Sequence, residues 1–212
     1  MVSAQKKKID TVKVNYFPTG IRLGTDLLSI IKAGVDPDYK GWEVNADVDV
    51  SKYYVAVDYG TWGKTASSDA RQYQNDGKYW RAGVDINLLK KDPDKNMFFF
   101  GARYASGTFW ERLTTSITDP VYGNKNFVSY YNPNATAHWV EIVTGLKVKI
   151  WKEFWMGYTA RYKFSLSTDN TPGMIPADVP GYGRNDGATW GFNYQIFWRI
   201  PIRKIKSTFS EK

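Results

Sequence analysis

Residues 42–60 read WEVNADVDVSKYYVAVDYG, and this stretch decides the fold. From Trp42 to Val50 every second residue is apolar, and the residues between them are Glu, Asn or Asp. The alternation resumes at Tyr53, directly after the dipeptide Ser51-Lys52. A period of two is typical of a β-strand, in which successive side chains point to opposite faces. A two-residue link between two such runs predicts an antiparallel hairpin with one apolar face and one charged face.

The same alternation occurs eight times along the chain, in segments of 8 to 11 residues. A tilted strand needs about 9 to 11 residues to cross a bilayer. No run of about 18 apolar residues is present, which excludes a membrane-spanning helix. We therefore predict a β-barrel domain over residues 18–200, with these eight strands: Gly20–Leu28, Trp42–Val50, Tyr53–Gly60, Tyr79–Leu88, Phe98–Ala105, His138–Val148, Trp155–Phe164 and Thr189–Arg199.

The two faces of the eight segments differ sharply in charge. The apolar face comprises 38 positions and contains no Asp, Glu, Lys or Arg. A soluble sandwich would bury that face, whereas a membrane barrel would turn it to lipid and hold the charges in its lumen. The opposite face carries seven basic and seven acidic residues, which we predict to form a structural lumen network: Arg22, Asp26, Glu43, Asp47, Asp49, Asp58, Arg81, Asp85, Arg103, Glu141, Lys147, Arg161, Lys163 and Arg199.

The links between segments favour the membrane barrel. Short links (51–52, a turn around 91–94, and 149–154) alternate with long ones (29–41, 61–78, 106–137 and 165–188). Outer-membrane barrels have short periplasmic turns and long extracellular loops. Trp and Tyr also concentrate near both ends of the segments, as two membrane interfaces would select. The fold class predicted is an all-β, eight-stranded antiparallel transmembrane β-barrel in a bacterial outer membrane, with both termini periplasmic.

Both ends of the chain are basic. The net charge is +8, and the first and the last 13 residues each carry +3. We predict basic periplasmic tails at residues 1–17 and 201–212, which contact anionic headgroups or are simply solvated. Residues 1–4 fit the remnant of a signal peptide, with a cloning start as the alternative. A nucleic-acid binder would carry its basic residues on the folded face, so we expect no nucleic-acid partner.

Two stretches resemble a known family. Residues 16–30, YFPTGIRLGTDLLSI, and residues 194–204, YQIFWRIPIRK, resemble a family of small outer-membrane β-barrel proteins of uncharacterised function from Bacteroidota. The resemblance spans most of the chain and implies an outer-membrane barrel with a cleaved signal peptide. It transfers no catalytic residues. The chain ends in Ser-Glu-Lys, so the terminal aromatic that commonly signals barrel assembly is displaced inward.

Catalysis has little support in the sequence. There is no cysteine, and His138 is the only histidine. A lipid A-modifying enzyme would pair a histidine with a serine nucleophile. Residues three apart on a strand point to opposite faces, so His138 is predicted to face lipid and Glu141 the lumen. Ser129 lies in the preceding loop, and its position in the sequence does not indicate a nucleophile. We expect no enzyme activity, no cofactor and no metal site.

The remaining candidates are contacts outside the membrane. An eight-stranded barrel is only wide enough for its own side chains, so we predict that the lumen charges form a closed, salt-bridged interior; a narrow ion path is the alternative. Apolar side chains in two long loops predict partner or ligand contact, or else a lid over the mouth: Tyr122, Phe127, Tyr130, Tyr131, Met174, Ile175 and Tyr182. The expected partners are outer-membrane lipid or lipopolysaccharide and a larger outer-membrane protein. The first hypothesis is an accessory subunit of a complex for lipopolysaccharide export, protein secretion or barrel assembly. The second is a stand-alone surface barrel for adhesion, ligand binding or envelope integrity.

Overall fold

Eight long strands form a closed antiparallel barrel in the computed structural model, which describes residues 17–89, 92, 94–118, 122–169 and 174–202. Alternating apolar and polar residues make each strand, as a pleated, half-buried surface requires. A two-stranded hairpin and a short helix complete the described secondary structure. The elements are β1 Gly20–Asp26, α1 Leu27–Val35, β2 Tyr39–Val50, β3 Tyr53–Ser67, β4 Arg71–Asn87, β5 Met97–Thr118, β6 Lys125–Trp151, β7 Phe154–Thr168, β8 Asp178–Val179, β9 Gly183–Arg184 and β10 Ala188–Pro201.

Each barrel strand pairs with its neighbour in the chain, and β1 closes the ring against β10. Gly20 lies opposite Pro201 and Asp26 opposite Gln195 in this closing pair. One end of the barrel carries the three short turns, and we call it the turn end. The other end carries α1 and the long links, and we call it the loop end.

The distribution of side chains is inside out relative to a soluble protein. Outward-facing Val84, Ile142 and Phe100 are 45%, 44% and 53% exposed, whereas inward-facing Asp85 and Glu141 are at most 1% exposed. The outer band is bounded by aromatic residues, with Trp42, Trp80 and Trp190 toward the loop end and Phe98, Trp151 and Trp198 toward the turn end. An apolar belt with aromatic borders around a charged interior is the surface of a membrane-spanning barrel.

Two predicted loops are in fact strands. The pairing of β3 with β4 continues through residues 61–78, and β5 pairs with β6 as far as Thr118 and Lys125. Residues 106–118 and 125–137 therefore form a two-stranded ribbon beyond the membrane band, with a bulge at Phe109/Glu111 opposite Pro133. Nearer the barrel the inner face of these extensions is buried, as at Asn75 and Phe109. Around Ile117 and Phe127 the ribbon is exposed on both faces, so the apolar alternation that marks a strand in lipid is lost there while the backbone pairing persists. Proline cannot donate to a ladder, which accounts for the bulge.

The first predicted strand ends earlier than expected. The chain turns into α1 at Leu27, so Leu27 and Leu28 belong to the helix and not to β1. Asp26 caps the helix, and its side chain accepts hydrogen bonds from the Ser29 backbone nitrogen (3.2 Å) and hydroxyl (2.6 Å). Such a cap satisfies the free N–H groups of a first turn. Among the described residues, no helix is both long and apolar enough to cross a membrane. Most of the two predicted basic tails, including residues 1–4, lies outside the described residues.

Candidate functional site: the barrel interior and its loop end

The centre of the lumen is a cluster of five charged side chains from five strands. Arg81 contacts Glu43 at 2.6 Å and Glu141 at 3.0 Å, and Arg161 contacts Asp58 and Glu141, each at 3.0 Å. All five residues are at most 4% exposed. Two guanidinium groups and three carboxylates thus bridge the full width of the barrel. Because removing one member would leave buried charge unpaired, the cluster holds the wall strands together.

Further ion pairs fill the lumen toward the turn end. Asp47 contacts Arg22 at 2.7 Å and Lys147 at 2.8 Å. Asp85 contacts Arg103 at 2.7 Å. At the turn end itself, the Asp49 carboxylate accepts from the backbone nitrogens of Thr19 (2.6 Å) and Gly20 (2.9 Å). Lys95 and Arg199 lie beside the same carboxylate, at 3.4 and 3.7 Å. All 14 charged residues singled out in the sequence face the interior.

An apolar layer, which was not predicted from the sequence, lies within the charged lumen. Tyr54, Met97, Phe99 and Val143 form one buried cluster. Phe197 and Trp155, both 2% exposed, pack nearby. Room for the Phe197 ring comes from Gly24, where a Cβ atom would lie 2.4 Å from that ring. Runs of two or three consecutive aromatic residues, such as Phe98-Phe99-Phe100, could have predicted this layer, because they make a strand apolar on both faces.

Residues 174–187, which precede β10, fold back into the mouth of the barrel. Tyr182 is 2% and Met174 4% exposed, so these two residues do not form an exposed contact surface. The Gly181 carbonyl accepts from Arg81 (3.0 Å) and Lys163 (2.8 Å), and Lys163 also donates to the Tyr182 carbonyl (3.0 Å). Gly181 has φ +77 and lies against the Tyr79 ring, where a side chain would not fit. We call residues 174–187 the mouth plug; it is the lid that the sequence analysis left as an alternative.

A buried carboxyl group outside the membrane band anchors the mouth plug. The Tyr73 hydroxyl donates to Glu111 Oε2 at 3.0 Å and to the Asp178 carbonyl at 3.2 Å. Glu111 is fully buried, and no described residue hydrogen-bonds to its Oε1 atom. Burial raises the pKa of Glu111 above its usual value. Burial, together with the neighbouring Glu111 carboxyl, also raises the pKa of Tyr73. Asp178 is held in addition by Trp62 (3.0 Å) and Lys64 (3.1 Å).

The exposed apolar residues lie on the β5–β6 ribbon and at one site on the plug. Tyr122 is 79%, Phe127 73% and Tyr131 51% exposed, and Tyr130 is half-buried. Phe127 and Tyr131 share one face of the ribbon, and Ile117, which pairs with Asn126, is on the other face and is 54% exposed. Ile175 on the mouth plug is 71% exposed. The seven predicted contact residues therefore divide into a protruding surface and two plug residues in the mouth.

His138 lies on the outer surface, as parity predicts. Its Nδ1 atom is 3.0 Å from the Tyr104 hydroxyl, and the two rings stack with centroids 6.1 Å apart. Glu141 lies in the lumen and contacts Arg81 and Arg161. Ser129 lies on the ribbon, where its hydroxyl is 3.3 Å from that of Thr114. These residues do not come together. Among the described residues, no three His, Asp or Glu side chains are placed to hold a metal ion.

Comparison with known proteins gives a family and two similar folds. CarO2 of Acinetobacter baumannii is 14% identical, with 87% of this chain and 99% of that chain covered and a TM-score of 0.45. Neisserial surface protein A (NspA) is 12% identical, with 87% and 96% covered and a TM-score of 0.39. Neither similarity assigns a function. No curated protein sequence matches the chain. Residues 1–205 match the domain of unknown function DUF6048, and the chain belongs to that family.

Proposed function

We propose that this protein is a non-enzymatic, non-conducting barrel of the outer membrane that serves as an accessory subunit of a larger outer-membrane complex. The observation that carries the proposal is the β5–β6 ribbon, which projects beyond the membrane band with Ile117, Phe127 and Tyr131 exposed. Single exposed apolar residues are normal, but several large ones on one projecting ribbon favour a contact surface. The candidate complexes are those for lipopolysaccharide export, protein secretion and barrel assembly.

The filled interior supports a role at the outer surface. Ion pairs, an apolar layer and the mouth plug occupy the lumen from the turn end to the loop end. A barrel of eight strands has room for little besides its own side chains. In the proposed orientation, the turn end and both termini are periplasmic and the ribbon is extracellular, which follows the usual asymmetry of turns and loops. We expect an origin in Bacteroidota.

Purification from native membranes tests the proposal. An affinity-tagged protein, extracted in mild detergent, should bring down a larger outer-membrane barrel in stoichiometric amount, as read by quantitative mass spectrometry. Phe127→Ser combined with Tyr131→Ser should reduce that recovery several-fold, because these two exposed side chains lie on the same face of the ribbon. Val35→Ser is the matched control, since Val35 is 76% exposed but lies on α1. Recovery that does not respond to the ribbon variant would count against the proposal.

A stand-alone surface barrel for adhesion, ligand binding or envelope integrity is the second candidate. It is favoured by the same ribbon, which also carries hydroxyl side chains such as Thr114 and Ser129. Under this function the tagged protein should purify alone, and the ribbon variant should weaken attachment of cells to a surface or ligand without changing the purified composition.

A further inference from the structure

The barrel wall is incomplete between β10 and β2 at the loop end. β1 ends at Asp26, opposite Gln195, and its last β2 partner is Val44. On the side facing β1, the residues 39–43 of β2 and 188–194 of β10 therefore have no strand partner. The remaining strands of the ring pair past this level. The wall thus has a lateral gap, which opens toward the membrane rather than along the barrel axis.

Helix α1 lies across this gap. It packs against both β2 and β10, and none of its residues is buried. Asp26 fixes its first turn to β10, because the Asp26 carboxylate also accepts from the Tyr194 backbone nitrogen at 3.0 Å. Leu28, Ile31 and Val35 are 42%, 57% and 76% exposed. A short helix with exposed apolar residues, next to Trp42 and Trp190, lies at the height of a membrane interface.

Behind α1 is a cavity of about 210 Å³ that joins the lumen to the lipid-facing surface. Its inner wall is polar and includes Glu43 and Lys163, while its outer rim includes Leu28, Trp190 and Phe192. Trp190 and Phe192 are 62% and 53% exposed and continue the apolar outer band. A polar recess with an apolar rim that opens into a bilayer has the shape and polarity of a site for a lipid headgroup, with the acyl chains outside.

The charges of the cavity favour an anionic headgroup. Both carboxylates of the cavity already have partners: Glu43 forms an ion pair with Arg81 at 2.6 Å, and Asp26 accepts a hydrogen bond from the Ser29 backbone nitrogen of α1. Lys32 and Lys163 form no ion pair with any described carboxylate. Lys32 instead lies over the rings of Tyr39 and Trp62, at 4.1 and 5.1 Å. Lys163 donates to two carbonyls, and its protonated form has a third N–H for an anion.

We propose that the lateral gap beneath α1 binds the phosphate group of an anionic membrane lipid, with Lys32 as its principal cation and Lys163 as an inner donor. The acyl chains lie on the outer band beside Trp190 and Phe192. This inference rests on the proposed membrane location but not on the proposed protein partner, so the two can fail separately.

Native mass spectrometry of the purified barrel in a neutral detergent tests the site. Phosphatidylglycerol is the probe, phosphatidylcholine the zwitterionic control and inorganic phosphate the free-ion control. Phosphatidylglycerol should bind at a ratio of one and more tightly than phosphatidylcholine. Lys32→Gln should weaken this binding roughly fivefold, the effect of one lysine near a lipid surface. Lys78→Gln, the same change at an exposed lysine of the loop end outside the cavity, should leave it within about twofold.

Two results would overturn the proposal. Equal binding of the two lipids would show that the headgroup charge does not contribute to binding. Equal loss in the Lys32→Gln and Lys78→Gln variants would show that the lipid does not bind in the cavity. Inorganic phosphate that displaces the lipid completely at an equal concentration would also overturn it, because the acyl chains would then contribute nothing. A Lys32→Gln protein that loses phosphatidylglycerol and still migrates on a gel as the folded, heat-modifiable form would support it.

Discussion

Replacing Val84 with arginine should destabilise the barrel by about 2 to 4 kcal/mol, the cost of arginine near the bilayer midplane. Val84 lies four residues from both Trp80 and Leu88, or about 13 Å along the strand from each border at ~3.3 Å per residue. Its outward neighbours across the sheet are Val55 and Ala102, so no carboxylate is available to pair with the new charge. A protein is stable by only about 5 to 15 kcal/mol, so the change removes a large fraction of the total.

Urea titration of folding into phospholipid vesicles measures this loss. Gln72→Arg is the matched control, because Gln72 lies on the same face of β4 but beyond the aromatic border and is exposed. We expect the control to stay within about 0.5 kcal/mol of the wild type. An equal shift for both variants would show that the outer band of β4 does not lie in lipid. Folding of the wild type as a stable monomer in detergent-free buffer would refute the membrane assignment altogether.

Three further predictions concern the interior, the single histidine and the buried carboxyl group. Planar-bilayer recordings of the purified protein should show no stable channels, because the lumen is filled at both ends; steady openings would contradict the closed interior. His138→Ala should leave the lipid A profile of the cell unchanged by mass spectrometry, and a lost modification would restore the enzyme hypothesis. Because burial raises the pKa of Glu111, its contribution to stability is present at low pH and is lost as the pH rises through the folded-state pKa. Glu111→Gln should therefore raise the urea midpoint relative to wild type at pH 8 but not at pH 4, and an equal difference at both values would refute this coupling.

The strands that can be predicted from the sequence are those with one face in lipid and the other in the polar lumen. Val84 and Asp85, for example, are neighbours in the chain but meet lipid and the lumen, so the alternation between them is strong. Where both faces meet the same medium the alternation fades. The water-exposed ribbon around Phe127 was therefore predicted as a loop. The apolar layer around Phe99 was missed for a different reason: Phe98–Ala105 was predicted as a strand, but its inward face was assigned to the charged lumen.

The candidate sites depend on long-range contacts that no local pattern encodes. Asp178 reaches Lys64 and Asn75 across more than 100 residues of chain, so the mouth plug could be predicted only as one of two alternatives. The gap beneath α1 arises because β1 ends at Asp26, although the alternation of the sequence continues without a break to Leu28. Local capping by Asp26, rather than hydrophobic period, ends the strand.

The short seam between β1 and β10 sets the order in which the barrel assembles. Seven residue pairs join these strands, while 21 join β5 and β6. Closing the seam brings together residues as distant as Gly20 and Pro201, and its loop-closure entropy exceeds that of the β5–β6 hairpin by about 3 kcal/mol. Few contacts at high entropic cost form late, so we expect nucleation at the long hairpin and closure as the last step of folding. The same seam should then be the first to separate under mechanical load, and Gly20 and Pro201, which pair at its turn end, are the points from which a pulling force would open it.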